Sequence, residues 1–166
     1  MTRHNNWYVV YTYPNSEKKI YNELNKREIT AYLPTKGVVR QWSDRKKKLE
    51  VPLFPNYVFV NIPPKDMWMV LMVNGVVKFV SFNGTPAVVR DSEIDLVKRL
   101  SSKANVVSNK NFYIRGEKVQ VKEGVFSGLV GKVMNKKGMT RLYVELETAH
   151  LMFSIDIEAA LLKKLD

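Results

Sequence analysis

Twelve residues, VPLFPNYVFVNI at 51–62, constrain the fold most. Aromatic and β-branched residues crowd together as in a strand. Pro52 and Pro55 interrupt its first half, and proline cannot donate to a central ladder. The stretch therefore reads as a bent strand. Side chains alternate across a strand. Tyr57, Phe59 and Asn61 share one face, and Val58 and Val60 the other. Phe54, held between the prolines, sits at the bend, where it can be aimed outward. WYVVYTY, 7–13, splits in the same way: Trp7, Val9 and Tyr11 lie on one face, Tyr8 and Val10 on the other. Valines packed beneath helices would leave an aromatic face for a partner, since stiff rings give large contact area at modest entropic cost. In the competing reading, helices cover both faces and the aromatics fill the core.

The flanking sequence supplies the helices. Pro14 closes the first strand. Asn15 or Ser16 can cap a helix that carries Glu17 in its first turn, Lys26 and Arg27 near its end, and Ile20 and Leu24 on one face. TAYLPTKGVVRQW, 30–42, reads as a broken strand and SDRKKK, 43–48, as a polar turn. The 51–62 strand then returns as the partner arm of a long hairpin. Residues 63–75 predict a short helix started after prolines and stopped near Gly75. A strand follows over 76–82, then a turn at NGT, a short edge strand at PAVV, and a helix in RDSEIDLVKRLSS, where Ser92 and Asp95 match a capping box. The order β-α-β-β-α-β-α gives an α+β domain over 1–101, an antiparallel sheet with flanking helices.

Residues 102–113 show no clean periodicity and read as a linker. From 114 to 166 the texture changes. Val119 and Val121, then Leu142, Val144 and Leu146, then Phe153, Ile155 and Ile157 alternate with period two, and glycines punctuate them. Short strands with glycine turns predict a small β-barrel. Only the tail, DIEAALLKKL, is helix-prone, enough for one short turn after the barrel.

Charge narrows the partners. The 166-residue chain has 27 Lys and Arg against 16 Asp and Glu, a net +11. Residues 1–100 carry 16 basic and 9 acidic side chains, or +7, and 114–166 carry 9 and 7, or +2, so the first domain is the more polyanion-facing. Arg45, Lys46, Lys47 and Lys48 fall at the expected hairpin tip with Arg40 below them. They read either as a solvated turn or as a contact for nucleic acid driven by counterion release. There is no cysteine, so disulfides, thiol catalysis and cysteine–zinc sites are excluded. The two histidines, His4 and His150, lie in different expected domains. No hydrolase, Walker or dinucleotide signature occurs. The glycines of EGVFSGLVGKV lack the ending and the following helix of a phosphate loop. No catalytic residue, metal or cofactor is expected. The lack of a signal-like N-terminus and of a long apolar run suggests a cytoplasmic protein without a membrane partner.

Three features occur in order: WYVV opening the first strand, LFPNYVFV, and GEKVQVKEGVFSGLVGKV about sixty residues later. Together they resemble the NusG family of transcription elongation and antitermination factors, over nearly the whole chain from Trp7 to Leu165. The match looks closest to the specialised paralogues of the RfaH and UpxY type, because Asn56 stands in LFPNY where the housekeeping proteins usually have glycine. The resemblance implies an NGN domain over 1–101 and a KOW domain over 114–166, with Gly124, Phe126, Gly128 and Gly131 as its motif positions. Val125 departs from a usual proline. It further implies an NGN domain that binds the clamp helices of the RNA polymerase largest subunit through Trp7, Tyr11, Phe54, Tyr57 and Phe59. Non-template or upstream DNA would face Lys18 and Lys19 of the first helix. Tyr13 and Glu23 replace basic or imidazole positions there, so any sequence-specific recognition would differ. The KOW domain would recruit termination factor Rho or ribosomal protein S10, and the protein would act as a monomer without catalysing a reaction. Housekeeping NusG is the alternative within the family, and a ribosome- or RNA-binding module the alternative outside it. Relatives of the RfaH type can mask the clamp site with a helical form of this domain. Here Gly124, Gly128 and Gly131 each disfavour a helix by about 1 kcal/mol, so a β-barrel in the free protein, loosely tethered with the aromatic face unmasked, is expected.

Overall fold

Strand β1 (Asn6–Thr12) leads into α1 (Glu17–Lys26), then β2 (Thr30–Tyr32), β3 (Thr35–Gln41), β4 (Lys46–Pro52) and β5 (Tyr57–Ile62). After a 3-10 turn at Pro64–Asp66 come α2 (Met67–Leu71), β6 (Val76–Phe79), β7 (Ser81–Phe82), β8 (Thr85–Pro86) and α3 (Asp91–Ser101). The computed structural model describes residues 4–101, 106–109, 116–124, 126–136 and 139–165. The chain forms two compact units, Met1–Ala104 and Asn105–Asp166.

In the first unit a four-stranded sheet has the order β2-β5-β1-β6. β5 is central and antiparallel to β1 from Asn6–Ile62 to Tyr11–Tyr57. One face carries Tyr8, Val10, Val58, Val60 and Ile62, which pack with Ile20 and Leu24 of α1, Val70 of α2 and Phe79. Ile20 and Leu24 lie four apart, so one stripe of α1 is buried against the valines. On the other face Ile94, Val97 and Leu100 of α3 are buried. There the hydroxyls of Ser101 and Tyr32 lie 3.2 Å apart, and Lys98 lies over the Tyr32 ring. Tyr32 in turn packs on Phe59, its neighbour across the β2–β5 ladder. Helices thus cover both faces, and burial of each large core side chain contributes about 1.5–3 kcal/mol.

Several expectations change. VPLFPNYVFVNI is the end of β4, a turn and β5, not one bent strand. β4, not β5, is the returning arm of the hairpin, and it pairs with β3 from Thr35–Pro52 to Gln41–Lys46. The expected six-residue turn shrinks accordingly. The Trp42 N–H donates to the Arg45 carbonyl at 2.7 Å, leaving Ser43 and Asp44 at the tip and placing Lys46, Lys47 and Lys48 in strand β4. Ser16 makes no capping bond. Ser92 is not a cap either: Glu93 instead accepts from the Arg90 N–H at 3.0 Å, because α3 starts at Asp91, two residues earlier than the capping box requires.

The second unit contains β9 (Val106–Asn109), β10 (Glu117–Val121), β11 (Val130–Lys136), β12 (Met139–Leu146), β13 (Leu151–Asp156), a 3-10 turn at Ala159–Leu161, and β14 (Leu162–Lys164). They form an antiparallel sheet in the order β14-β10-β11-β12-β13-β9. Val119, Val121, Leu142, Val144 and Leu146 are buried as the period-two pattern predicts, whereas β13 is buried continuously from Leu151 to Ile155 and Ile157 lies half-buried beyond its end. Part of the expected linker is structured, since β9 adds to the edge of β13. Residues 102–105 and 110–113 lie outside the described residues. The helix-prone tail makes its short turn and then pairs as a strand with β10.

Candidate macromolecule-binding surface

The best-defined surface grows from one turn. Tyr57 N–H donates to the Phe54 carbonyl at 3.2 Å across Pro55 and Asn56. Proline presets the second position of such a turn, and the third needs a left-handed backbone. Asn56 has φ +75°, a conformation that asparagine and glycine accept more readily than other residues. This accounts for asparagine at a place where glycine also serves. Three bonds fix the turn to its neighbours. Asn56 N–H donates to the buried Glu17 carboxylate at 2.9 Å. The Asn56 side-chain amide donates to the Thr12 carbonyl at 3.1 Å. Thr12 N–H donates back to the Asn56 carbonyl at 2.8 Å.

The turn sets Tyr57 opposite Tyr11, with ring centroids 5.6 Å apart in an edge-to-face arrangement. Tyr11 is exposed and Tyr57 half-buried. Burial and the neighbouring Tyr11 push the Tyr57 phenol pKa up. The pair lines an open depression with Lys78, Val80 and Ser81. Trp7, also half-buried, is the cross-strand partner of Asn61, whose Oδ1 is buried without a hydrogen-bond partner among the described residues.

Phe54 and Phe59 are not where the outward reading put them. Phe54 is 2% exposed and Phe59 fully buried. They pack edge to face at 6.3 Å. α3 closes the face that Phe59 shares with Tyr57. The two rings are therefore core, and of the five expected aromatics Tyr11, Tyr57 and part of Trp7 remain accessible.

The basic residues divide differently from their order in sequence. Arg40, Arg45, Lys46, Lys47 and Lys48 are all exposed. Ladder parity puts Arg40, Arg45 and Lys47 on one face of the hairpin with Trp42, and Lys46 and Lys48 on the other with Val39. Trp42 is absent from the sequence-derived candidates, although its place beside the basic run was the available signal. Lys19 is exposed, whereas Lys18 reaches the Glu50 carbonyl at 2.5 Å and so joins α1 to the base of the hairpin.

In the second unit Gly124 and Gly128 take φ +90° and +88°, positions that glycine fills without strain. At Gly131 a Cβ would run into the Tyr143 carbonyl on the neighbouring strand. Phe126 is half-buried beside these turns. Val125 lies outside the described residues. Among the described residues no group of three or more metal-ligating side chains occurs, and no helix is long and apolar enough to cross a membrane.

A helix-covered antiparallel sheet followed by a small all-β unit is the build of an NGN domain joined to a KOW domain. Residues 5–98 match the family described as transcription termination factor nusG. The chain belongs to the NusG family. It is 28% identical to the transcription termination/antitermination protein NusG of Rickettsia typhi, covering 96% of this chain and 90% of that protein. The Rickettsia conorii protein of the same name is 30% identical over 76% of this chain and 72% of its own length. The Vibrio parahaemolyticus protein is 28% identical over 96% of each. A solved structure of Thermotoga maritima NusG covers 98% of both chains with a TM-score of 0.63 and 22% identity, a likeness of fold.

Proposed function

We propose that this protein is a transcription elongation and antitermination factor whose NGN domain docks on the clamp helices of the RNA polymerase largest subunit and suppresses pausing or termination. The observation that carries the reading is the edge-to-face Tyr11–Tyr57 pair, with Tyr11 exposed and Tyr57 half-buried, on the strand face where Phe59 is buried against Phe54. Rings held by a rigid base contribute binding area with little ordering cost. Phe54 and Phe59 are part of the core that holds β5 in place, and Trp7 extends the surface. Lys19, Arg40, Arg45, Lys46, Lys47 and Lys48 face non-template or upstream DNA, and Lys18 fixes the hairpin to α1. The KOW domain, built on Gly124, Phe126, Gly128 and Gly131, recruits a second partner, either Rho or ribosomal protein S10. The chain acts as a monomer and catalyses no reaction. LFPNY, with Asn56 at the turn, favours a specialised, operon-directed role.

The test is capture of purified core polymerase by the full-length protein, compared with Tyr57→Ala. Retention by the native chain and loss by the variant support the docking surface. Equal capture by both removes it. Genome-wide occupancy then separates the roles: occupancy restricted to a few operons supports the specialist, and uniform occupancy the housekeeping factor.

A further inference from the structure

We propose that Trp42 is a stacking platform for an unpaired base, which makes one face of the β3–β4 hairpin a site for single-stranded nucleic acid. The inference rests on the reading of the hairpin as the nucleic-acid-facing element and adds a residue and a ligand class to it. Trp42 stands at the tip, 42% exposed. A tryptophan at the end of a two-stranded ribbon has no core to fill, since its face of β3 and β4 beyond Val38 and Leu49 is exposed. What surrounds it is charge. Lys47 Nζ lies 4.4 Å from the ring centroid and Arg45 Cζ 5.7 Å. Arg40, the ladder partner of Lys47, is on the same face.

The bland account is that cation–π contacts merely tidy the tip. Such contacts require one cation, and this face brings three. Residues 35–52 hold six basic side chains against Asp44 and Glu50. An aromatic ring within a basic groove matches the chemistry of single strands: every base has a π-face to stack, and cations follow the phosphates. Duplex DNA hides its base faces in the stack and offers the ring nothing. The same cations serve either polymer, so the tryptophan decides between them. Lys46 and Lys48, on the opposite face, add field without access to the stacked base.

The experiment uses the full-length protein, without polymerase, and a labelled strand of about twelve deoxythymidines, a length within the usual site size of such grooves. A duplex of equal length is the comparison. The native chain is expected to bind the single strand more tightly. Trp42→Ala should weaken that binding by at least about fivefold, the lower end of one stacked base, with duplex binding and the salt slope unchanged. Trp42→Phe should retain most of the affinity, and thermal melting checks that both variants fold. Single-strand affinity unchanged in Trp42→Ala, an equal loss on both probes, or native preference for duplex would each overturn the proposal. A flattened salt slope in Lys46→Ala/Lys47→Ala/Lys48→Ala together with an inert Trp42→Ala would keep the hairpin as a phosphate contact and remove only stacking. Polymerase docking is untouched by any of these results.

Discussion

The tyrosine surface and the β3–β4 hairpin belong to the same unit, yet they are held in shape by opposite means. Tyr11 and Tyr57 lie on the two central strands, in a sheet with a buried core, with a turn bonded to α1 and β1. The hairpin pairs along seven positions with itself and is exposed over most of its length, so its geometry comes from the ladder and a two-residue tip. A surface backed by a core is stiff, and its side chains are pre-arranged for a shaped partner. A ribbon without a core depends on charge, which acts at a distance and tolerates imprecise geometry. The contrast suits a protein partner for the first and a polyanion for the second.

The largest break in this comparison should come from the buried Phe54–Phe59 pair. Phe54→Ala leaves a cavity beside Phe59 and should cost about 3–5 kcal/mol of stability, read by chemical denaturation. A loss below about 1 kcal/mol would mean that the pair is not supporting the unit. Tyr57→Ala comes next. It should lower affinity for the clamp helices roughly 30-fold, the effect of a typical aromatic anchor, while the denaturation midpoint moves little. Asn56 sharpens the same point. Asn56→Ala loses the bond to Thr12 and strains a left-handed backbone, costing about 1–2 kcal/mol. Asn56→Gly keeps the backbone free and should cost less, and the reverse order in thermal melting would refute the account of the turn. The hairpin should give the smallest stability effect. Lys46→Ala/Lys47→Ala/Lys48→Ala should leave stability within about 0.5 kcal/mol while reducing the slope of nucleic-acid affinity against salt. An unchanged slope would make the tip a solvated turn.

The sequence carried the strands well, because WYVVYTY and YVFVNI are dense in aromatic and β-branched residues. It carried α1 through Ile20 and Leu24, and the second unit through Leu142, Val144 and Leu146. The burial of Phe54 and Phe59 was not legible. Alternation says which residues share a face, but whether α3 closes that face is decided by packing thirty residues later in the chain. The hairpin register was hidden for another reason. A polar run looks alike as turn or strand, and only the Trp42–Arg45 bond fixes the tip. Shifting a register by one residue exchanges every side chain between faces, so which basic residues of β4 share a face with Trp42 could not be read from order alone.

The knot of bonds around Asn56 has a consequence for redesign. It engages the backbone of Thr12, the carboxylate of Glu17 and the amide of Asn56, and it uses neither phenol ring. The shape of the mount is therefore independent of what is mounted. Exchanging the side chains at positions 11 and 57 would therefore leave these bonds in place, so the mount can be kept while what it carries is changed.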